Sequence, residues 1–269
     1  MNQVDRARVR AAFSRGAAAY DGRAEVQALV RARALALAGQ AAPRATRILD
    51  VGCGTGRLLA DLAGSAGPGA AAWRSARLAG VDLARGMCAA ARAAAPGAAI
   101  AAADAEALPF RDGAFDLLLS TSAFQWLGHL GPALGQCARV LAPGGALVLS
   151  LFAERTLREL KGAWRAAAGP DRPDRTHRFF TAAEVGEALR AAGFRGVTLH
   201  EEEHVERHPD ARAVLRALKA IGAQNAAPEA RGLAGRRTTL ELLRRYDAEH
   251  GGPSGVPVTW HVVYAVGSR

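Results

Sequence analysis

The sequence predicts an α/β protein: a doubly wound, seven-stranded, mostly parallel Rossmann-like sheet with helices before it and a helical lid late in the chain. Three observations point there. Apolar runs of strand length alternate with amphipathic stretches from residue 47 to residue 152, the sequence form of repeated βαβ units. The run Ile48-Leu49-Asp50-Val51 breaks into Gly52-Cys53-Gly54-Thr55-Gly56, a strand that stops, turns tightly and feeds a helix. Carboxylates (Asp50, Asp82 and Asp104) stand at the ends of the first three strands, the edge where open α/β sheets bind ligands.

Taken in order, apolar residues at helical spacing predict helices over Val4–Ala19 and Glu25–Gly39. Strands follow at Arg47–Val51, Ala76–Val81, Ala98–Ala103, Phe115–Thr121 and Ala146–Phe152. Between them lie helices Arg57–Ala63, Gly86–Ala95 (closed by Pro96) and Pro132–Leu141, the last stopped by Pro143-Gly144-Gly145. Beyond residue 152 the alternation loosens. Helices are expected at Thr156–Ala168, Thr181–Ala192, Ala211–Gly222 and Thr238–His250, with strands at 195–205 and Val256–Val266. A single domain over 1–269 accounts for this order: N-terminal helices to 45, a core over 46–152, and insertions at 153–180 and 206–255. The Gly64–Arg74 loop reads as an insertion in which Trp73 packs locally.

The composition narrows the setting. No run of about 18 apolar residues occurs and Met1–Arg10 is polar, so neither a membrane span nor a signal peptide is expected. Cys53, Cys88 and Cys137 lack paired spacing, which suggests reduced thiols in a cytoplasmic protein, with no disulfide framework and no metal site. The net charge of +10 is almost wholly arginine, since Lys161 and Lys219 are the only lysines. Such a surface could serve nucleic acid, anionic lipid or an acidic protein partner, or reflect only a coding bias toward Ala, Gly and Arg; no basic run marks a nucleic-acid tail.

The glycine spacing separates two nucleotide-binding readings. A dinucleotide fingerprint starting at Gly52 requires glycine at position 57, where this chain has Arg57. Gly52-x-Gly54-x-Gly56 preceded by Asp50 instead resembles motif I of class I S-adenosylmethionine-dependent methyltransferases. Asp82 in Gly80-Val81-Asp82-Leu83 can accept two ribose hydroxyls. Asp104-Ala105, leading into Glu106-Ala107-Leu108-Pro109-Phe110 and Phe115-Asp116, resembles the family's next two motifs and is placed to meet the adenine amino group. A lone aspartate at a strand end also serves as a helix cap; three at consecutive ends after this turn favour a cofactor. Asp50 is read as bonding the turn's amides or the cofactor's amino group through water, and Cys53 as a residue that only fills the turn.

The fourth strand ends in Ser120-Thr121-Ser122-Ala123-Phe124-Gln125-Trp126, without the Asn/Asp-Pro-Pro-Tyr/Phe signature of enzymes that methylate nucleic-acid amines and without an evident base. An ionised carboxylate acceptor needs no base, only alignment and electrostatic support.

Ala12-Phe13-Ser14-Arg15, Ala19-Tyr20-Asp21, Gln27, Phe124-Gln125-Trp126, His177-Arg178-Phe179, Leu218–Ala223 and Val258-Thr259-Trp260-His261 resemble the malonyl-acyl carrier protein O-methyltransferase family of biotin synthesis. The resemblance implies a class I methyltransferase fold, S-adenosyl-L-methionine as methyl donor (leaving as S-adenosyl-L-homocysteine), and the free carboxylate of a malonyl thioester as acceptor. The partner it implies is an acidic acyl carrier protein, or coenzyme A in its place. It assigns Tyr20 to positioning over cofactor and acceptor, and Gln27, Asp50, Gly52, Gly54, Gly56, Asp82, Leu83, Met87, Asp104, Ala105 and Ser120 to the cofactor. Gln125 and Trp126 fall to the acceptor pocket, and Arg178 or Lys219 to the malonyl carboxylate. The helices at 156–168 and 211–250 would form a water-excluding lid. Its rim would offer Arg212, Arg216, Arg244 and Arg245 to the carrier. Three other readings stay open at this point: a trans-aconitate-type carboxyl O-methyltransferase, a quinone C-methyltransferase, and a non-catalytic cofactor- or nucleic-acid-binding module.

Overall fold

Arg47–Val51 forms strand β1, hydrogen-bonded in parallel to β2 (Arg77–Asp82) on one side and β4 (Phe115–Thr121) on the other. A strand flanked on both edges and covered on both faces must be apolar throughout, which is why Ile-Leu-Asp-Val carries a single charged residue. The computed structural model describes residues 9–11, 13–14, 25–64, 73–169, 177–220 and 236–269. Tyr20, Ile221, Gly222, Ala223 and residues 65–72 of the expected insertion lie outside the described residues.

The chain proceeds through helix α1 (Glu25–Ala41), β1, α2 (Arg57–Ala63), β2, α3 (Arg85–Ala94), β3 (Ala99–Ala102), β4, α4 (Leu130–Val140), β5 (Leu141–Phe152) and α5 (Arg158–Ala168). It closes with α6 (Ala182–Ala191), β6 (Arg195–His208), α7 (Ala211–Ala220), α8 (Arg236–His250) and β7 (Val256–Ser268). The sheet order is β3-β2-β1-β4-β5-β7-β6, parallel except for β7, which runs antiparallel to β5 and β6. The expected seven-stranded, doubly wound sheet is therefore present. From β1 the chain winds outward through β2 and β3, then returns to β4 on the opposite side of β1. The crevice left between the carboxyl ends of β1 and β4 is the ligand position of such sheets.

Alternate residues of each strand face two separate cores. Ile48, Leu117, Leu119 and Val148 pack into the layer that holds α1. Leu49, Val51, Leu118, Leu147 and Leu149 pack into the layer that holds α4 and α6. Each fully buried leucine stabilises the fold by about 1.5–3 kcal/mol relative to exposure. Trp73 is buried and donates its indole N–H to the Ala42 carbonyl at 3.0 Å, so the described end of the insertion is anchored below α1.

Several boundaries differ from the sequence reading. The helix expected from Pro132 begins two residues earlier, at Leu130, because proline is tolerated in a helix's first turn, where its missing N–H has no helical partner. Strand β5 starts at Leu141 rather than Ala146: Leu141 pairs with Phe115, and the register then shifts so that Ala146 meets Leu117. Pro143-Gly144-Gly145 is thus an irregularity within the strand, with Gly144 at φ +77°. Strands β6 and β7 outrun their expected ends because they pair with each other from Arg195↔Ser268 to His208↔Val256. No helix among the described residues is long and apolar enough to cross a membrane.

Candidate active site

Three glycines shape the floor of the crevice. Gly52, Gly54 and Gly56 all adopt positive φ (+78°, +53° and +83°), backbone that side chains resist. The N–H groups of Gly52 and Cys53 both donate to the Val81 carbonyl, at 2.8 and 2.9 Å, which ties the turn to β2. A Cβ on Gly52 would lie 2.4 Å from the Ala123 Cβ, so the turn passes directly beneath the loop that follows β4. Gly56 serves a different purpose. A Cβ there would meet the Ala91 backbone at 2.7 Å, so this glycine lets α2 and α3 approach each other and does not line the cavity.

Above this floor is a cavity of about 480 Å³. Gln27, Asp50, Gly52, Gly54, Asp82, Leu83, Met87, Asp104, Ala105 and Trp126 line it, so most of the residues expected at the cofactor converge there from five separate elements and loops. Asp82 ends β2 and accepts the Gly54 N–H on one carboxylate oxygen (2.9 Å) and the Ala84 N–H on the other (2.8 Å). Of the two roles the sequence allows Asp50, bonding the turn's amides or the cofactor's amino group, the first falls at Gly54 to Asp82. Asp104 accepts the Glu106 N–H at 3.0 Å and leaves its loop facing the cavity.

Asp50 is the unusual group. It is 2% exposed, and its Oδ1 has no hydrogen-bond partner among the described residues. Burial, with the Asp82 charge adding to it and Arg31 opposing it, pushes its carboxyl up to about 8. Burial also raises Asp82, partly offset by the Ala84 and Gly54 N–H groups. A carboxyl pushed up by burial and by a neighbouring carboxylate is matched to a cationic group, which would satisfy the orphaned Asp50 oxygen and favour its charged form. Cys53 is buried and its thiol is driven up by burial and then by Asp50 and Asp82, so it fills the turn and is no nucleophile.

Two assigned residues stand behind the cavity wall rather than on it. Ser120 is fully buried and donates its hydroxyl to the Val51 carbonyl at 2.7 Å, clamping β4 to β1; Thr121 and Ser122 face the cavity in its place. Ser122 has φ +53°, a strained value for a residue with a side chain. Gln125 is 2% exposed and its side-chain amide donates to the Ser122 carbonyl at 2.8 Å, so it braces that strained turn.

Behind the wall stands a further residue to which the sequence assigns no role. His177 shares a 2.7 Å hydrogen bond with the Gln125 carbonyl through Nε2, and a carbonyl can only accept, so Nε2 carries the proton. Burial lowers the imidazole's pKa and Lys161 lowers it further, against the bond to Gln125, so the ring is neutral. Its ring sits 4.9 Å from Trp126 and 4.7 Å from Phe179, and Trp126 meets Phe13 at 5.6 Å on another side. Phe13 and Trp126 both line the cavity.

Neither cation expected at the acceptor reaches the cavity. Arg178 pairs with Glu184, whose carboxylate also caps α6 through the Thr181 N–H, and Lys219 is exposed on α7. Arg31 and Asp61, an ion pair, do line it.

Residues 49–149 match the family model described as a methyltransferase domain. The fold is similar to that of the YcgJ protein from Bacillus subtilis (TM-score 0.58, 15% identity, 88% of this chain and 98% of that one). It is likewise similar to a possible histamine N-methyltransferase from Thermotoga maritima (TM-score 0.55, 18% identity, 96% and 98%). Sheet order, glycine turn and acid-lined crevice, with the matching domain, define an S-adenosylmethionine-dependent methyltransferase of class I. Over its whole length the chain is 48% identical to a malonyl-[acyl-carrier protein] O-methyltransferase from Geobacter sulfurreducens, covering 99% of this chain and 100% of the relative. A second enzyme of that name, from Methylococcus capsulatus, is 36% identical over 94% of this chain and 90% of its own. The chain belongs to the malonyl-[acyl-carrier protein] O-methyltransferase family.

Proposed function

We propose that this protein transfers a methyl group from S-adenosyl-L-methionine to the free carboxylate of a malonyl thioester carried on acyl carrier protein. The product would be the methyl ester that starts pimeloyl synthesis for biotin. The observation that carries the reading is the 48% identity over the full chain to an enzyme of that name. The donor supplies an electrophilic methyl group on a sulfonium. The rest falls to the residues of this chain.

Asp82 and Asp104 would hold the nucleoside end, and Asp50 and Gln27 the cationic amino-acid end, where Asp50 offers its unpartnered oxygen. The acceptor is a carboxylate, ionised at neutral pH, so no general base is required. Catalysis then reduces to alignment and exclusion of water. Trp126, backed by His177 and Phe13, would form the acceptor wall, with Gln125 bracing it from behind. Tyr20 would close over both substrates. Arg178 or Lys219 would meet the malonyl carboxylate; both stand off the cavity, so this pairing requires α5, α7 and the segments around them to close as a lid.

Product analysis with malonyl-carrier, trans-aconitate and a demethylquinone as parallel acceptors tests the assignment. Methylation of the malonyl thioester at a kcat/KM well above the other two is expected. Preferential methylation of a free diacid or of a ring carbon would replace the reading with the corresponding rival.

A further inference from the structure

A second cavity, of about 1150 Å³, lies between α1, β6 and α7. It shares Gln27 and Ala28 of α1 with the cofactor cavity, so one stretch of helix lines both. Leu29 and Val205, half-exposed apolar side chains, stand on its lining.

Helix α7 supplies one wall and is sharply divided. Ala211, Val214 and Leu218 are buried, while Arg212, Arg216 and Lys219 are exposed. Spacings of four and three place the three cations on one ridge about 10 Å long. None makes an ion pair among the described residues, although like charges one turn apart repel. Several other arginines are held by carboxylates, although Arg207, on the lining of the same cavity, makes no ion pair among the described residues and adds to the positive charge there. Arg33 binds Glu202 at 2.8 Å, Arg155 and Arg158 both bind Glu203, and Arg244 and Arg245 both bind Glu241. Arg244 and Arg245, expected at a carrier-facing rim, are therefore already engaged. Within the second cavity, Glu206 is held by the Trp260 indole at 3.0 Å and Glu203 by its two arginines, which leaves Glu25 as the other carboxylate on the lining.

We propose that the acidic face of the acyl carrier docks on the Arg212–Arg216–Lys219 ridge and that the thioester arm enters through the second cavity, reaching the methyl donor past Gln27 and Ala28. This rests on the function proposed above. A substrate tethered to a folded protein needs an anchor outside and a route inward, and here a cationic ridge borders a cavity whose lining shares Gln27 and Ala28 with the cofactor cavity. Long-range attraction between the ridge and an acidic partner would speed encounter and weaken with salt. Lys219 then meets the carrier, and Arg178 is left to the malonyl group.

Steady-state kinetics of the full chain with malonyl-carrier and with a carrier-free malonyl thioester test the surface. Arg212→Glu is expected to raise KM for malonyl-carrier about tenfold at low ionic strength, leaving kcat/KM for the carrier-free thioester within about twofold. The wild-type KM for the carrier should rise with salt and that for the small thioester should not. An unchanged carrier KM in Arg212→Glu and in Arg216→Glu, or a salt-independent wild-type KM, overturns the docking proposal. Failure of the wild type to methylate either thioester instead overturns the function on which it rests.

Discussion

The Asp82 carboxylate accepts the Gly54 N–H at 2.9 Å across 28 residues of sequence, so the end of β2 holds the turn that follows β1. One side chain thereby sets the floor of the cavity and presents a half-buried carboxylate to it. Asp82→Asn keeps the shape and removes the charge. It is expected to weaken S-adenosylmethionine binding by about 1.5–3 kcal/mol, the worth of hydrogen bonds to a charged group. Titration calorimetry reads this directly, and wild-type affinity in the variant would remove Asp82 from the cofactor.

The glycines of the turn separate by substitution. Gly52→Ala forces a Cβ to within 2.4 Å of Ala123 and holds a side chain at φ +78°; a loss of folding stability of at least about 1–3 kcal/mol is expected from the backbone alone. Gly54→Ala meets nothing within 4 Å. Gly54 at φ +53° carries a similar backbone cost but no clash, and its added methyl stands where the cavity is lined, so Gly54→Ala should lose less stability than Gly52→Ala and also lose affinity for the donor. Equal thermal losses in the two variants would contradict this division of roles.

Asp50 makes a prediction in pH. Its carboxyl is pushed up to about 8 in the folded, ligand-free protein, whereas in the unfolded chain it ionises near the ordinary value of about 3.9. The unfolded state therefore loses this proton first. The stability the residue contributes is complete below about pH 4 and is lost as pH rises through about 8. Asp50→Asn should flatten the melting temperature across that window. A cationic donor favours the ionised form, so donor affinity in the wild type should rise from pH 6 to 8, with proton release, and stay level in Asp50→Asn. A parallel slope in the variant would show that another group titrates.

His177 does not line the cavity, but its proton bonds the Gln125 carbonyl and its ring backs Trp126, so in the proposed function it would position the acceptor wall. His177→Phe keeps the ring stack and loses the bond. KM for the acceptor should rise several-fold with kcat nearly retained, and donor affinity should not move. A fall in kcat at unchanged KM would instead place His177 in the chemical step.

The parts legible in the sequence are those whose cause is local. Buried parallel strands must be apolar runs, and a turn that passes under Ala123 must be glycine, so the sheet and the cofactor floor could be read directly. Features set by partners distant in the chain were hidden. Pro143-Gly144-Gly145 reads as a turn, yet pairing of Leu141 with Phe115 draws it into β5. Ser120 reads as a strand-end ligand, but its hydroxyl turns to Val51, 69 residues earlier. Arg178 reads as a free cation until Glu184 is seen beside it. That partner carried a signal, since Thr181 and Glu184 stand at capping-box spacing. The 52-residue link from His177 to Gln125 carried none.

Intact-mass analysis of malonyl-acyl carrier protein after incubation with the enzyme and S-adenosyl-L-methionine tests the central assignment most directly. The account predicts a gain of one CH₂ on the carrier-bound malonyl group, dependent on the methyl donor and on Asp82. A carrier whose mass is unchanged while the protein binds the donor would contradict it.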